Sequence, residues 1–188
     1  SRMTIESPEI KITDDAHVRT IQLNRPHKKN ALSQTLAWDI IRAFDAATSD
    51  DDVWVVAITG IDDCFCSGVD LTPAGNTPDR GPMSEIQSQI DDLSWVGQIP
   101  LAIRERCDKP VVAGLNGVAA GAGLALAMAC DIRIARKDGG QCGLPEVALG
   151  VLPGTGGTQR LVRIVGKSKA IELMAGGDTF GFDRALEL

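Results

Sequence analysis

Asn116-Gly117-Val118-Ala119-Ala120-Gly121-Ala122-Gly123 lies between the apolar run 111–115 and a second apolar run, 124–130. The order predicts a strand, a glycine-rich turn and then a helix. Small residues at such a turn let a ligand approach the backbone closely, and the first turn of the helix presents N–H groups without intrahelical partners. Two aligned backbone donors of this kind suffice to hold a carbonyl oxygen that gains negative charge. Close helix packing accounts for the same glycines equally well, so the stretch decides the local fold before it decides a function.

Working outward, the same strand, turn and helix pattern recurs. Residues 53–59 form an almost unbroken apolar run, as expected of a strand covered on both faces, and lead to Asp63-Cys64-Phe65-Cys66-Ser67-Gly68-Val69-Asp70-Leu71. Upstream, residues 10–12 and 18–23 alternate with period two around Asp14-Asp15, which predicts a hairpin. Ser33 reads as an N-cap, followed to about residue 48 by Leu36, Ile40, Ala43, Phe44 and Ala47 at helical spacing, with Asp39, Arg42 and Asp45 on the polar side. The stretch 72–82 is rich in Gly, Pro, Asn and Asp and reads as a surface loop leading into a helix over 83–106. Downstream, a short strand is expected at 132–135 and helices at 157–165 and 168–175, stopped by Gly166 and Gly176-Gly177.

Composition bounds the answer. With 188 residues, 44% hydrophobic content and 20 glycines, the chain suits one α/β domain spanning 1–188 with a single sizeable core. No apolar run approaches membrane-spanning length, and Ser1-Arg2-Met3 reads as residues ahead of a native start and not as a signal peptide, so a soluble, cytoplasmic protein with no membrane partner is expected. The formal net charge of −6 argues against nucleic acid as a partner, because the densest basic group, 25–29, is short. Five cysteines, Cys64, Cys66, Cys107, Cys130 and Cys142, are odd in number and lack metal-ligand spacing. They read as small buried apolar residues, with a catalytic thiol as the alternative; no metal is expected.

Two further segments complete the set. Leu23-Asn24-Arg25-Pro26 lies near the start, and Cys130-Asp131-Ile132-Arg133-Ile134-Ala135 precedes Gly143-Leu144-Pro145-Glu146 and the glycine-rich run 150–157. Together, and in this order, these motifs resemble the enoyl-CoA hydratase/isomerase family, the crotonase superfamily. The resemblance implies an α/β fold, a crotonase-like spiral of repeated ββα units, with the family's C-terminal helical region missing from this chain. It implies an acyl-CoA substrate, with coenzyme A as part of the substrate and no permanently bound cofactor, and assembly as a homotrimer or homohexamer.

Resemblance also assigns residues. It maps the oxyanion hole onto the backbone N–H of Ser67 and Ala122, flanked by Gly68 and Gly121, where a donor pair on an enolate oxygen is worth about 3 kcal/mol per donor. Glu146 is the acid/base candidate on its own surroundings as well: a carboxylate among Gly, Leu, Val and Ala is partly desolvated, which brings its pKa toward the working pH. The family's second glutamate falls on Ala125. Two carboxylates activate the water of a hydration, whereas moving a proton between carbons needs one base, so the reading leans to double-bond isomerisation by Glu146, with hydration as the alternative and a non-catalytic binding subunit as a third. Asp70, Asp131 and Glu85 are the other acids considered for the missing role; Asp70 also reads as ordering its loop and Asp131 as a cap. For CoA, the resemblance implies contacts along Cys64, Cys66, Ser67, Gly68, Val69 and Asp70, with Arg25, His27, Lys28 and Lys29 placed to meet phosphates.

Overall fold

The computed structural model describes residues 9–72 and 95–188. The expected loop 72–82 beyond Thr72, the first half of the helix 83–106 and the candidate acid Glu85 lie outside the described residues. A first sheet has the order β1-β2-β3-β5-β7, formed by β1 (Ile10–Asp15), β2 (Val18–Leu23), β3 (Val55–Gly60), β5 (Val111–Leu115) and β7 (Ile132–Ala135). All neighbours are parallel except the β1/β2 hairpin. The hairpin turns at Ala16 and His17, with Ala16 at φ +50°, while Asp14 and Asp15 stay in the strand; Asp14 is held there by a 2.8 Å ion pair to Arg19.

A second sheet, β4-β6-β8-β9, is built from β4 (Cys64–Cys66), β6 (Val118–Ala120), β8 (Gln141–Gly143) and β9 (Phe180–Gly181). Three of its strands follow directly on strands of the first sheet. The chain therefore runs β3-β4, β5-β6, β7-β8, with α2 (described over 95–101) and α3 (Ala122–Ala129) between the pairs. This is the repeated ββα winding that the sequence led us to expect. Because β4, β6 and β8 pair in parallel, their C-terminal ends lie side by side, where parallel sheets form their clefts.

The core sits under α1 (Gln34–Thr48), whose Leu36, Ile40, Phe44 and Ala47 are fully buried with Ile21, Leu23, Ile58 and Phe65. Ser33 caps α1 through a 3.0 Å bond from Leu36 N–H to its Oγ. Asp39, expected on the polar face, is buried and meets Arg42 at 3.5 Å. β3 alternates fully and partly buried residues. α3 is apolar all round and buried along its whole length, as a helix inside the core must be. Helices α4 (Gly157–Val165), α5 (Lys167–Gly176) and α6 (Phe182–Glu187) follow, with Gly166 (φ +81°) and Gly177 (φ +70°) in conformations only glycine adopts without strain. No helix among the described residues is long and apolar enough to cross a membrane.

Candidate functional site

Three segments leave the second sheet at the same edge: 67–69 after β4, 121–122 after β6 and 145–146 after β8. Pro145 opens a 3₁₀ helix, Pro145–Leu149, its fixed φ suiting a first helical position, and Glu146 sits in that first turn. Gly68 (φ +109°) and Gly121 (φ +56°) turn the other two segments toward it. A Cβ on Gly121 would lie 3.2 Å from Glu146 Oε1 and 4.0 Å from Gly68 Cα, and a Cβ on Gly68 would lie 3.7 Å from Ala122 N. Residues more than seventy positions apart thus meet around one point.

The backbone N–H groups left open on these segments differ from expectation at one position. Ser67 N–H is committed, donating to Lys29 O at 3.1 Å. Leu32 N–H donates to Gly68 O at 2.8 Å, and Asp70 N–H donates to Leu32 O at 2.9 Å, so Gly68 and Asp70 turn these groups toward Leu32. Along extended backbone successive N–H groups point to opposite sides, and Val69 between them presents its N–H away from Leu32. Among the described residues Val69 N–H and Ala122 N–H make no hydrogen bond. The open donor on the first loop therefore belongs to Val69, two residues beyond Ser67.

Glu146 supplies the charge. Its Oε2 is shielded from solvent and has no hydrogen-bond partner. Burial pushes its carboxyl above the usual carboxylate range, an effect its own backbone N–H partly offsets. A desolvated carboxylate with a free oxygen is a proton acceptor whose affinity has been raised toward neutrality. Ala125, where the resemblance places the family's second glutamate, is buried, and its N–H closes the first helical bond to Gly121 O at 3.0 Å.

The remaining expected site residues divide. The side chains of Cys64 and Cys66 are buried in the core, their sulfurs 3.1 Å from Lys29 O and 3.9 Å from Gly68 O. Burial raises their thiols to about 11 and about 12, so they remain protonated and unreactive at neutral pH. Arg25, expected at a phosphate, is buried instead, pairing with Glu9 (3.1 Å) and Asp70 (3.0 Å). Asp70 orders its loop: bonds from the Thr72 side chain and backbone and from Arg25 lower its carboxyl to about 2. Lys28 reaches the same loop through a 3.1 Å bond to Thr72 Oγ1. Asp131 caps rather than reacts, accepting from Val111 N–H (2.8 Å) and Arg104 (2.7 Å).

Two amides, the first fully buried and the second partly exposed, were not singled out from sequence. Asn30, fully buried at φ +53°, donates to Cys64 O (2.7 Å) and accepts from Arg25 N–H (2.9 Å). Asn116 accepts from Gly60 N–H (3.1 Å) and donates to Asp62 O (2.8 Å). Together they pin both ends of the turn that aims β4 at the site. An asparagine inside an apolar context, as in Asn30-Ala31-Leu32, is the signal that was available.

Known proteins resemble this chain in sequence and in fold. The family model described as enoyl-CoA hydratase/isomerase matches residues 13–188. The 2,3-dehydroadipyl-CoA hydratase of Escherichia coli K12 is 34% identical over 177 residues, covering 94% of this chain and 65% of that protein. An enoyl-CoA hydratase crystal structure from Bacillus anthracis superposes with a TM-score of 0.83 at 34% identity, over 95% of this chain and 67% of that one. A Thermobifida fusca protein solved in complex with CoA gives 0.82 at 33% identity, over 96% of this chain and 69% of that one.

Proposed function

The chain belongs to the enoyl-CoA hydratase/isomerase family, and we propose on that premise that it takes an acyl-CoA thioester, holds the carbonyl oxygen between Val69 N–H and Ala122 N–H, and moves a proton with Glu146. The observation that carries this reading is the unpartnered, shielded Oε2 of Glu146 beside two open backbone donors. Removing a proton α to a thioester puts negative charge on the carbonyl oxygen. Donors already aimed there stabilise that charge without reorganising, and a carboxylate held in apolar surroundings takes the proton more readily than one in water.

Glu146 lies against the Gly121 turn, its Oε1 3.2 Å from where a Cβ on Gly121 would sit, and position 125 carries a methyl group. A single base can take the proton from one carbon and return it to another, so the reaction is migration of the double bond in an enoyl-CoA. Hydration is the second reading, favoured by the hydratase names of the relatives; it needs a second group to hold the water. Lys28 is suited to a CoA phosphate as a point charge. Assembly into trimers or hexamers, a cytoplasmic location, and CoA entering only as part of the substrate belong to the same proposal and rest on resemblance.

The test is to incubate the chain with 3-enoyl-CoA and 2-enoyl-CoA and follow bond migration and water addition separately. Migration without water addition is expected, and Ala125→Glu is expected to add hydration. Water addition by the unaltered chain at a rate matching or exceeding migration would overturn the single-base reading.

A further inference from the structure

We propose a second anion site, for a phosphoryl group of a small molecule, at the C-terminal end of α3, in the cleft where Arg104, Arg133, Arg160 and Arg163 converge. The cleft holds about 440 Å³ over a floor of Met128 and Cys130. Eight residues of buried helix, about 12 Å at 1.5 Å per residue, separate this end from the open N–H of Ala122, so the cleft is distinct from the candidate active site.

Three elements bring the arginines together: the π-helical turn Ala102–Arg106, β7 and α4. Two carboxylates, Glu105 and Asp131, line the same cleft. Among the described residues lining the cleft, four guanidinium groups against two carboxylates leave an excess of two positive charges, on a chain whose formal charge is −6. Part of the cluster has a structural duty. Arg104 pairs with Asp131 at 2.7 Å, and Arg133 donates to Cys130 O at 2.9 Å, countering the negative end of α3.

Arg160 and Arg163 have no such duty. Arg160 meets only a neutral carbonyl, Thr155 O at 3.1 Å, and Arg163 makes no hydrogen bond or ion pair among the described residues. Three residues apart in α4 and facing one cleft, they repel each other. Burial, with Arg104 and Arg163 nearby, pushes the Arg160 guanidinium below its ordinary value. Several planar forks around one cavity match the oxygens of a phosphoryl dianion, which each can grip with two bonds. A macromolecular polyanion would meet a predominantly acidic protein.

Titration calorimetry of the chain with inorganic pyrophosphate at low salt tests this. Saturable binding is expected, weakened about tenfold or more in Arg163→Gln by loss of a charge-assisted contact, and abolished in Arg160→Gln/Arg163→Gln. Arg42→Gln, exposed on α1, is the control and should bind as the unaltered chain does. Pyrophosphate should raise the melting temperature of the unaltered chain and not that of the double variant, which separates lost binding from lost folding. Saturation with crotonyl-pantetheine, which lacks phosphates, should leave pyrophosphate binding unchanged. Free CoA then tells the source: competition means that the phosphoryl group is that of CoA, and its absence means another small phosphate. Failure of the unaltered chain to bind pyrophosphate more tightly than about 10 mM, equal binding by the double variant, or displacement by crotonyl-pantetheine overturns the site.

Discussion

Gly123→Ala tests the alignment of the two backbone donors without touching either. A Cβ at position 123 would lie 2.8 Å from the carbonyl carbon of Cys66 and 2.9 Å from its Cβ, and closer still to its carbonyl oxygen, whereas ordinary contact begins at 3.4 Å. The obstacle is backbone of β4, so no side-chain rotation relieves it. The N-terminal turn of α3 and the end of β4 must part by on the order of 1 Å, the kind of shift that overpacking a filled core forces at about 1–3 kcal/mol. Each kcal/mol lowers the melting temperature by about 2–4 °C in a chain of this size. The same movement separates Ala122 N–H from Val69 N–H, and a 1 Å misplacement of catalytic groups costs about a hundredfold in rate. Turnover of an enoyl-CoA substrate and a circular dichroism melt are the assays. Gly97→Ala provides the contrast: nothing lies within 4 Å of its added methyl, and in α2 it should stabilise by about 0.5–1 kcal/mol with turnover unchanged. If Gly123→Ala keeps turnover within threefold while its melting temperature falls as expected, the donors do not act as an aligned pair.

Asn30→Ala should cost about 1–3 kcal/mol in urea denaturation, because it leaves the buried Arg25 N–H without its acceptor, while Cys64 O keeps the 3.3 Å bond from Asn116 Nδ2; a loss under about 1 kcal/mol would show that the amide does not hold the turn. Glu146→Gln should change stability in a pH-dependent way. The folded state raises the Glu146 pKa and so binds its proton more tightly than the unfolded chain does, and stability falls as pH rises through and above the ordinary glutamate range. The glutamine variant lacks that loss, so its melting temperature relative to the unaltered chain should climb from acid to neutral pH; a difference constant with pH would contradict the desolvation of this carboxyl.

The first sheet was legible in the sequence because its strands run four to six residues and are largely apolar or alternating, which periodicity detects. The second sheet was not. Its strands of two or three residues, such as Cys64–Cys66 and Val118–Ala120, are too short to show a period, and only their pairing to one another makes them strands. Glu146 stood out through its apolar neighbours together with the family resemblance. The donor at Val69 did not, since the side to which an extended N–H points is set by the partner strand, here Leu32, thirty-seven positions away. Arg25 illustrates the limit for charge: a basic residue in a basic stretch reads as surface, yet Glu9 and Asp70 draw it into the interior.

The central claim is that Glu146 carries the proton while backbone donors hold the oxygen. Glu146→Gln preserves size and hydrogen bonding and removes only the base. Turnover of 3-enoyl-CoA and the dissociation constant of a non-reactive acyl-CoA, measured on this variant, separate the two roles. The account predicts that turnover is lost and the dissociation constant stays within about threefold, the pattern of a group acting in the transition state. Near-normal turnover, or a loss of binding equal to the loss of turnover, would contradict it.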